Sequence, residues 1–165
     1  MELTIAPRDI LQINDARIIF RNFRGEGGPY NREGDRNFAL IIPTEEMADE
    51  LVANTNKFGI GWNVKKRDAR EEGEPPFMFL TVKVKFTDRG PNIYLRTGDV
   101  VNKLDEESVS CLDDIDIRSV DLDIRPYDDE INGKPFRAAY LLSMEVVQEI
   151  DRFAARYAEE EYPEE

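Results

Sequence analysis

The sequence predicts a mainly β fold, a small and mostly antiparallel β-barrel with inserted helices. Short segments with β-strand patterns recur along the chain, separated by turns that contain glycine, proline or asparagine. They do not alternate regularly with helical segments, which argues against a parallel doubly wound sheet. With 165 residues and 41% hydrophobic content, the chain supports one core. We therefore expect one domain over residues 1–157 and an acidic, disordered C-terminal tail over residues 158–165.

The first two predicted strands form a long hairpin. Residues 15–23 alternate imperfectly and predict a strand with one basic, aromatic face. Residues 24–35 contain four glycines and a proline, which is typical of a mobile loop. Residues 36–42 are apolar enough for a central strand, and Pro43 ends it.

A helix and the clearest strand come next. Thr44 is a natural N-cap for a helix that runs to about Asn56, with two glutamates in its first turn. Two glycines break the chain before a short strand at residues 62–65. Residues 77–86 alternate, so that apolar residues face the core and the other set forms a candidate ligand surface. That second set is Phe79, Thr81, Lys83 and Lys85.

The remaining elements complete the predicted barrel. Residues 92–96 predict a short strand, and residues 104–112 predict a brief helix with an acidic start. Residues 120–126 alternate strongly and return as a strand over 136–147, with Asn132 and Gly133 at the hairpin tip because both tolerate positive φ. Asp151 is placed to cap a last helix. The sum is six or seven strands with two inserted helices. Among such barrels, the oligonucleotide-binding (OB) fold presents strands and loops to single strands.

Composition limits the class of protein. A formal net charge of −13 argues against a chain that coats DNA through a uniform positive potential. A local basic groove remains compatible, because phosphate affinity depends on where lysines and arginines lie. The single cysteine fits a reducing compartment, and the absence of histidine removes the commonest zinc ligand. No segment is long and apolar enough to span a bilayer, and we expect no cofactor or metal.

One set of residues combines cations with aromatic rings, which single-stranded nucleic acid requires. Cations follow the phosphates, and each base stacked on a ring contributes about 1–3 kcal/mol. The alternative interpretation places Phe23 and Trp62 in the core and the cations on a solvated face. The candidate nucleic-acid-binding residues are Arg17, Arg21, Phe23, Tyr30, Arg32, Trp62, Lys65, Lys66, Lys83 and Lys85.

A second set of residues is acidic. Asp121 and Asp123 alternate on one predicted strand, a pattern with which nucleases hold Mg²⁺ when a partner carboxylate is near. No lysine follows them at the spacing of a restriction-type nuclease, and acidic runs are usually solvated. The other acidic residues of the set are Asp113, Asp114, Asp116, Asp128, Asp129 and Glu130. The structural interpretation, a charged strand face or turn, is therefore favoured over catalysis.

The C-terminal tail follows the last basic residue, Arg156. One interpretation is a disordered segment that only adds solubility. The other is that its glutamates compete with nucleic acid for the basic surface and that Tyr162 anchors a partner protein. The predicted partner-binding tail residues are Glu159, Glu160, Glu161, Tyr162, Glu164 and Glu165.

Several stretches of the sequence resemble a family of small phage and prophage proteins. They are residues 16–23 (ARIIFRNF), 30–38 (YNREGDRNF), 61–65 (GWNVK), 124–127 (IRPY) and 131–134 (INGK), and the similarity runs from about Ala16 to Tyr157. That family resembles phage single-stranded-DNA-binding proteins of the OB fold. The resemblance implies DNA binding and an acidic tail that recruits replication or recombination proteins. Here the tail ends in Pro163-Glu164-Glu165 rather than in an aromatic or apolar residue.

The expected function is sequence-independent binding of single-stranded DNA in phage DNA replication or recombination, without enzymatic activity, in the cytoplasm of the bacterial host. Expected partners are the DNA and replication or recombination proteins, and self-association is left open. Two alternatives belong to other classes. One is a Mg²⁺-dependent nuclease that uses Asp121 and Asp123. The other is an acidic DNA mimic that occupies a host factor, which explains the net charge but not the clustered basic strands.

Overall fold

The computed structural model describes residues 1–68, 73, 76–151 and 153, and the structural statements below concern these residues. They form ten strands and one α-helix. In chain order these are β1 (Glu2–Ala6), β2 (Ile10–Ala16), β3 (Ile18–Asn22), β4 (Arg36–Ile42), α1 (Glu45–Ala53), β5 (Val64–Arg67), β6 (Phe77–Val84), β7 (Asn92–Thr97), β8 (Val100–Leu104), β9 (Ile117–Ile131) and β10 (Lys134–Gln148), with 3₁₀ helices at Pro7–Asp9 and Val109–Asp113. The predicted mainly β fold is confirmed.

The strands join in one sheet whose main order is β1-β2-β9-β10-β6-β4-β3. Strand β5 pairs with β6, and β7 pairs with β10 and β8. The long strand β10 serves two parallel partners, β6 through residues 139–140 and β7 through residues 143–147. The other ladders are antiparallel. Within the part of the chain that the structure describes, no ladder joins β1 to β3, so the sheet is open.

The β9–β10 hairpin turns at the predicted tip. Asn132 and Gly133 have φ angles of 52° and 79°, the pair of left-handed conformations that a two-residue hairpin turn requires. This turn fixes the register of the ladder, in which Arg125 lies opposite Tyr140. The hairpin tip therefore decides which side chains of the two longest strands meet.

The hydrophobic core takes every second residue of β6. Leu80, Val82 and Val84 are buried, whereas Lys83 between them is exposed, which is the predicted two-sided pattern. In the neighbouring strand β4, Phe38 lies opposite Val82 and is also buried. The face of the sheet that carries Lys83 is called the outer face below.

The helix α1 begins at the predicted cap. The hydroxyl oxygen of Thr44 accepts a hydrogen bond of 3.2 Å from the backbone N–H of Met47, one of the amides that a helix start leaves without a partner. Leu51 is fully buried and attaches the helix to the core. The helix ends at Ala53, earlier than the predicted end near Asn56.

Other elements differ from the prediction. The β1–β2 hairpin and β8 were not expected, so six or seven strands is too few. The expected helix over residues 104–112 is limited to a 3₁₀ helix at Val109–Asp113. Of the last predicted helix, only Asp151 and Phe153 lie within the described residues. In the described part of the chain, no helix is long and apolar enough to cross a membrane.

Candidate nucleic-acid interface

Four of the predicted residues meet on the outer face. Tyr30, Arg32, Lys83 and Lys85 line a hollow of about 610 Å³ between the β3–β4 loop and β6. Strand β6 supplies the first lysine through its alternation, and Lys85 follows directly after the strand. The loop carries Tyr30, whose side chain is fully exposed, and Arg32. The sequence analysis thus named lining residues of this hollow from both β6 and the β3–β4 loop.

A second hollow continues the first. Lys85 also lines a neighbouring hollow of about 630 Å³, together with Arg8, Arg89 and Arg125. Because one residue borders both, we treat the two hollows as one basic groove. The cations that line it are Arg8, Arg32, Arg36, Lys83, Lys85, Arg89 and Arg125.

The basic groove is locally positive in a chain whose net charge is −13. Of the described residues that line the second hollow, none is acidic. The first hollow has two acidic residues in its lining, Asp35 and Glu106. Glu106 is already paired with Arg36, at 3.3 Å between Oε1 and Nη1. The groove therefore keeps an excess of cations that can pair with phosphates.

Tyr140 gives the groove an aromatic centre. The Lys83 Nζ atom lies 6.0 Å from the centre of the Tyr140 ring, and the guanidinium carbon of Arg125 lies 4.9 Å from it. Tyr127 packs edge-on against Tyr140, with 5.7 Å between ring centres. A partly exposed ring with one cation on each neighbouring strand suits a stacked base whose phosphates pair with those cations.

Phe23 and Trp62 require a correction. Phe23 is 0% exposed and stacks on Phe38, with 5.3 Å between ring centres. Trp62 is 2% exposed, and its indole N–H donates a 2.9 Å hydrogen bond to Asn54 Oδ1. The guanidinium carbon of Arg137 lies 5.1 Å from the Trp62 ring centre. The structure thus contradicts base stacking by Phe23 and Trp62, because neither ring has a free face.

Arg21 of β3 and Arg17, which lies between β2 and β3, are outside the basic groove. Arg21 is half-buried, and its Nη1 donates hydrogen bonds to the carbonyl oxygens of Leu112 and Ile115, at 2.7 and 2.8 Å. It joins β3 to the second 3₁₀ helix, so its guanidinium has a structural role. Arg17 is exposed and lines a separate hollow of about 690 Å³, together with the acidic Glu149.

The two lysines of β5 point in opposite directions. Lys65 lies opposite Phe79 in the β5–β6 ladder, and Lys66 lies opposite Met78. Because paired residues of an antiparallel ladder share a face and neighbours along a strand alternate, only Lys65 is on the outer face. Lys66 is exposed on the other side of the sheet.

The acidic residues have structural partners. Asp121 Oδ1 accepts a 2.8 Å hydrogen bond from the backbone N–H of Asp15, and burial raises the pKa of Asp123. Asp113 accepts from the backbone N–H of Phe23 at 2.7 Å. Across the residues that the structure describes, no three acidic, cysteine or histidine side chains converge as a metal site would need. This geometry gives the nuclease alternative no support.

Several groove residues were missed in the sequence. Arg125 and Tyr140 lie equally far from the Asn132–Gly133 tip, so the predicted turn already determined that they face each other. The positions of Arg8 and Arg89 could not be predicted from strand alternation or from a hairpin turn. Arg8 lies in a 3₁₀ helix and Arg89 lies in the connection between β6 and β7. The predicted tail residues 159–162, 164 and 165 lie outside the described residues.

Comparisons with known structures show the fold. One similar structure is the single-stranded DNA-binding protein of bacteriophage Enc34 in complex with single-stranded DNA, with a TM-score of 0.53 at 15% identity. The alignment covers 92% of this chain and 93% of that one. A C-terminally truncated form of the same protein gives a TM-score of 0.56 at 15% identity, covering 92% of this chain and 97% of that one. A third structure of it gives 0.55 at 16% identity, with 93% of both chains covered.

Sequence comparison identifies the family. No curated protein matches the chain. Residues 3–165, almost the whole sequence, match the family described as "Putative phage ssDNA-binding domain". The resemblance seen in the sequence and the shared fold agree with this match. The chain belongs to the phage single-stranded-DNA-binding domain family.

Proposed function

We propose that this protein binds single-stranded DNA along the basic groove, without preference for sequence. The observation that carries the proposal is the row of cations around a partly exposed ring, Lys83 and Arg125 against Tyr140, in a strongly acidic chain. The family is one of binding domains, and the protein is not an enzyme.

The mechanism follows from the two kinds of side chain. Lysines and arginines of the groove neutralise phosphates and release the counterions that had condensed on the DNA, which favours binding most at low salt. Tyr140 and Tyr30 offer rings to the bases. Stacking tolerates any sequence, because every base has a π face. Strands and an exposed loop form the basic groove. It therefore presents no helix of the kind that reads base edges in the major groove of duplex DNA.

The biological setting is inferred from the family. The domain family is a phage family, and one similar structure is a complex with single-stranded DNA. Single-stranded DNA is exposed during phage DNA replication and recombination, so we assign the protein to these processes in the cytoplasm of the bacterial host. This assignment predicts that the protein accumulates on phage DNA when replication begins.

The acidic tail completes the proposal as a competitor of DNA or a recruiter of partner proteins. Residues 158–165 hold five glutamates and no basic residue. A chain truncated after Arg156 should bind oligothymidylate more tightly than the full chain, and the difference should shrink as salt screens the charges. Equal affinity of the two chains at low salt would show that the tail does not compete with DNA. Recruitment of partner proteins would then be its remaining proposed role, and a pull-down with the tail peptide tests it.

The central experiment is a titration of fluorescein-labelled oligothymidylate of about 16 nucleotides, the upper end of the site size of one OB domain. Fluorescence anisotropy is followed from about 50 to 200 mM salt. We expect binding that weakens steeply with salt and exceeds binding to a duplex of equal length. Absence of binding at low salt, or an affinity independent of salt, would overturn the proposal. Degradation of the DNA that needs Mg²⁺ and vanishes in Asp121→Asn would favour the nuclease instead.

A further inference from the structure

Phe20 in β3 has a backbone conformation that costs energy. Its φ angle is 52°, in the left-handed region that a bulky side chain rarely adopts. The β3–β4 ladder changes register between Ile19 and Asn22, so the strand is irregular at Phe20. The residue remains 47% exposed. Burial in the core therefore does not explain why the chain keeps an aromatic residue in this conformation.

The exposed ring belongs to a cluster of three phenylalanines, which we call the aromatic platform. Ring centres of Phe20 lie 6.2 Å from Phe77 and 5.9 Å from Phe79, and those two are 5.8 Å apart. The guanidinium carbon of Arg67 lies 5.1 Å from the Phe20 ring centre. Lys65 lies opposite Phe79 in the β5–β6 ladder, so a second cation shares this face.

The aromatic platform is continuous with the basic groove. Phe77, Phe79, Thr81 and Lys83 alternate along β6 and share its outer face, and the last two line the groove. From Phe77 to Lys83 the distance along the strand is about 20 Å, at about 3.3 Å per residue. A DNA strand that lies in the groove can therefore reach the platform without leaving the surface of the sheet.

We infer that the aromatic platform is a second contact for single-stranded DNA, on which bases stack while Arg67 and Lys65 face the phosphates. Two observations favour DNA as the occupant over a protein segment. The cations beside the rings match a polyanion, and the platform continues a groove with the same composition of rings and cations. The inference rests on the proposed function and extends the binding site along β6.

The first test places a reporter on the platform. Phe20→Trp puts an indole at the proposed stacking position, and Val100→Trp puts one at an exposed position of β8, outside the groove, as the matched control. Trp62 is buried in both and contributes a constant background. Addition of oligothymidylate should quench the emission of Phe20→Trp, saturating together with the anisotropy, and should leave Val100→Trp unchanged. Equal responses of the two variants would overturn the inference.

The second test separates function from stability. Glycine adopts positive φ without steric cost, so Phe20→Gly relieves the strain while it removes the ring. If the ring serves DNA, the melting temperature stays at or above that of the wild type, and the affinity for oligothymidylate falls about tenfold, the effect of losing one stacked base. Unchanged affinity overturns the inference. If melting temperature and affinity both fall, the Phe20→Trp experiment distinguishes the causes. Quenching of Phe20→Trp by oligothymidylate supports the inference, and a response equal to that of Val100→Trp overturns it.

The two proposals fail in different ways. If the wild-type protein shows no salt-dependent binding of oligothymidylate, the proposed function itself is wrong. If the wild type binds and Lys85→Ala weakens binding, but Phe20→Gly binds as tightly as the wild type, only the platform is wrong. Val100→Ala, which removes an exposed apolar side chain from β8, controls for nonspecific surface effects and should bind as the wild type does.

Discussion

Tyr140 is the ladder partner of two cations on different strands, Arg125 in β9 and Lys83 in β6. Because β10 lies between these strands, its tyrosine ring receives one cation from each side, at 4.9 and 6.0 Å from the ring centre. The position of the ring is thus set by backbone pairing in the middle of the sheet rather than by a loop. In the proposed complex, such a position gives a stacking surface that needs little ordering on binding.

Replacement of Tyr140 tests the aromatic centre of the groove. Tyr140→Ala should weaken oligothymidylate binding about tenfold, since one stacked base contributes about 1–3 kcal/mol. Tyr140→Phe keeps the ring and should bind almost as tightly as the wild type. Tyr94→Ala, which removes an exposed tyrosine of β7 away from the groove, is the control. If Tyr140→Phe lost as much affinity as Tyr140→Ala, the hydroxyl rather than the ring would make the contact.

Lys85 borders both hollows of the basic groove and should contribute one phosphate contact. In Lys85→Ala, the slope of log affinity against log salt should become shallower by about 0.7, the value for one contact with a single strand. Lys103→Ala removes an equivalent exposed lysine from β8 and should leave the slope as it is. A slope that changes equally in both variants would mean that overall charge, and not the groove, governs binding.

Trp62 should matter for stability and not for DNA. Trp62→Phe loses the hydrogen bond to Asn54 and weakens the contact with Arg137, which should lower the free energy of unfolding by about 1–3 kcal/mol. Urea unfolding measures this change. Affinity for oligothymidylate at a temperature where the variant is folded should equal that of the wild type. A stable variant with weakened binding would instead place the indole in the DNA site.

Asp128 should link stability to acid pH. Its carboxylate accepts hydrogen bonds from the buried Arg137, at 2.8 Å from Nε and 3.0 Å from Nη2, and these bonds lower the pKa of Asp128 in the folded state. A lowered pKa means that the stabilisation is complete above the unfolded value of about 3.9 and disappears as pH falls through the folded value.

Urea unfolding of Asp128→Asn from pH 7 down to pH 3 checks this link. The variant should be less stable than the wild type at pH 7, and the difference should narrow below about pH 4 as the wild-type carboxylate takes up its proton. Glu107→Gln removes one negative charge from an exposed site and controls for net charge at pH 7. A stability difference that stayed constant down to pH 3 would show that the pair does not titrate in this range.

Residues governed by a simple period could be predicted. Lys83 lies on the outer face because β6 alternates without a break, and the Asn132–Gly133 turn was visible in the sequence. The burial of Trp62 could not be predicted from the sequence. The guanidinium of Arg137 lies against its ring, and only the packing of the β9–β10 hairpin brings Arg137 to that position. A tryptophan between glycines and lysines looks the same in the sequence whether it is covered or exposed.

Irregular backbone explains the other differences. The β1–β2 connection has positive φ angles of 65° and 59° at Arg8 and Asp9, and neither position is a glycine or an asparagine, the residues that adopt such angles most readily. The alternation expected along residues 15–23 stops at Phe20. Its positive φ breaks that alternation and turns the ring toward Phe77 and Phe79.

A net charge of −13 with a basic groove also has a kinetic consequence. At about 0.01 M salt, where the Debye length is about 30 Å, an approaching DNA strand meets the field of the whole protein before it reaches the groove, and the negative net charge repels it. Attraction begins only when the strand has reached the groove. Added salt then screens the distant repulsion and weakens the close contacts together. The loss of affinity at high salt should accordingly come from faster dissociation of the complex, with little slowing of its formation.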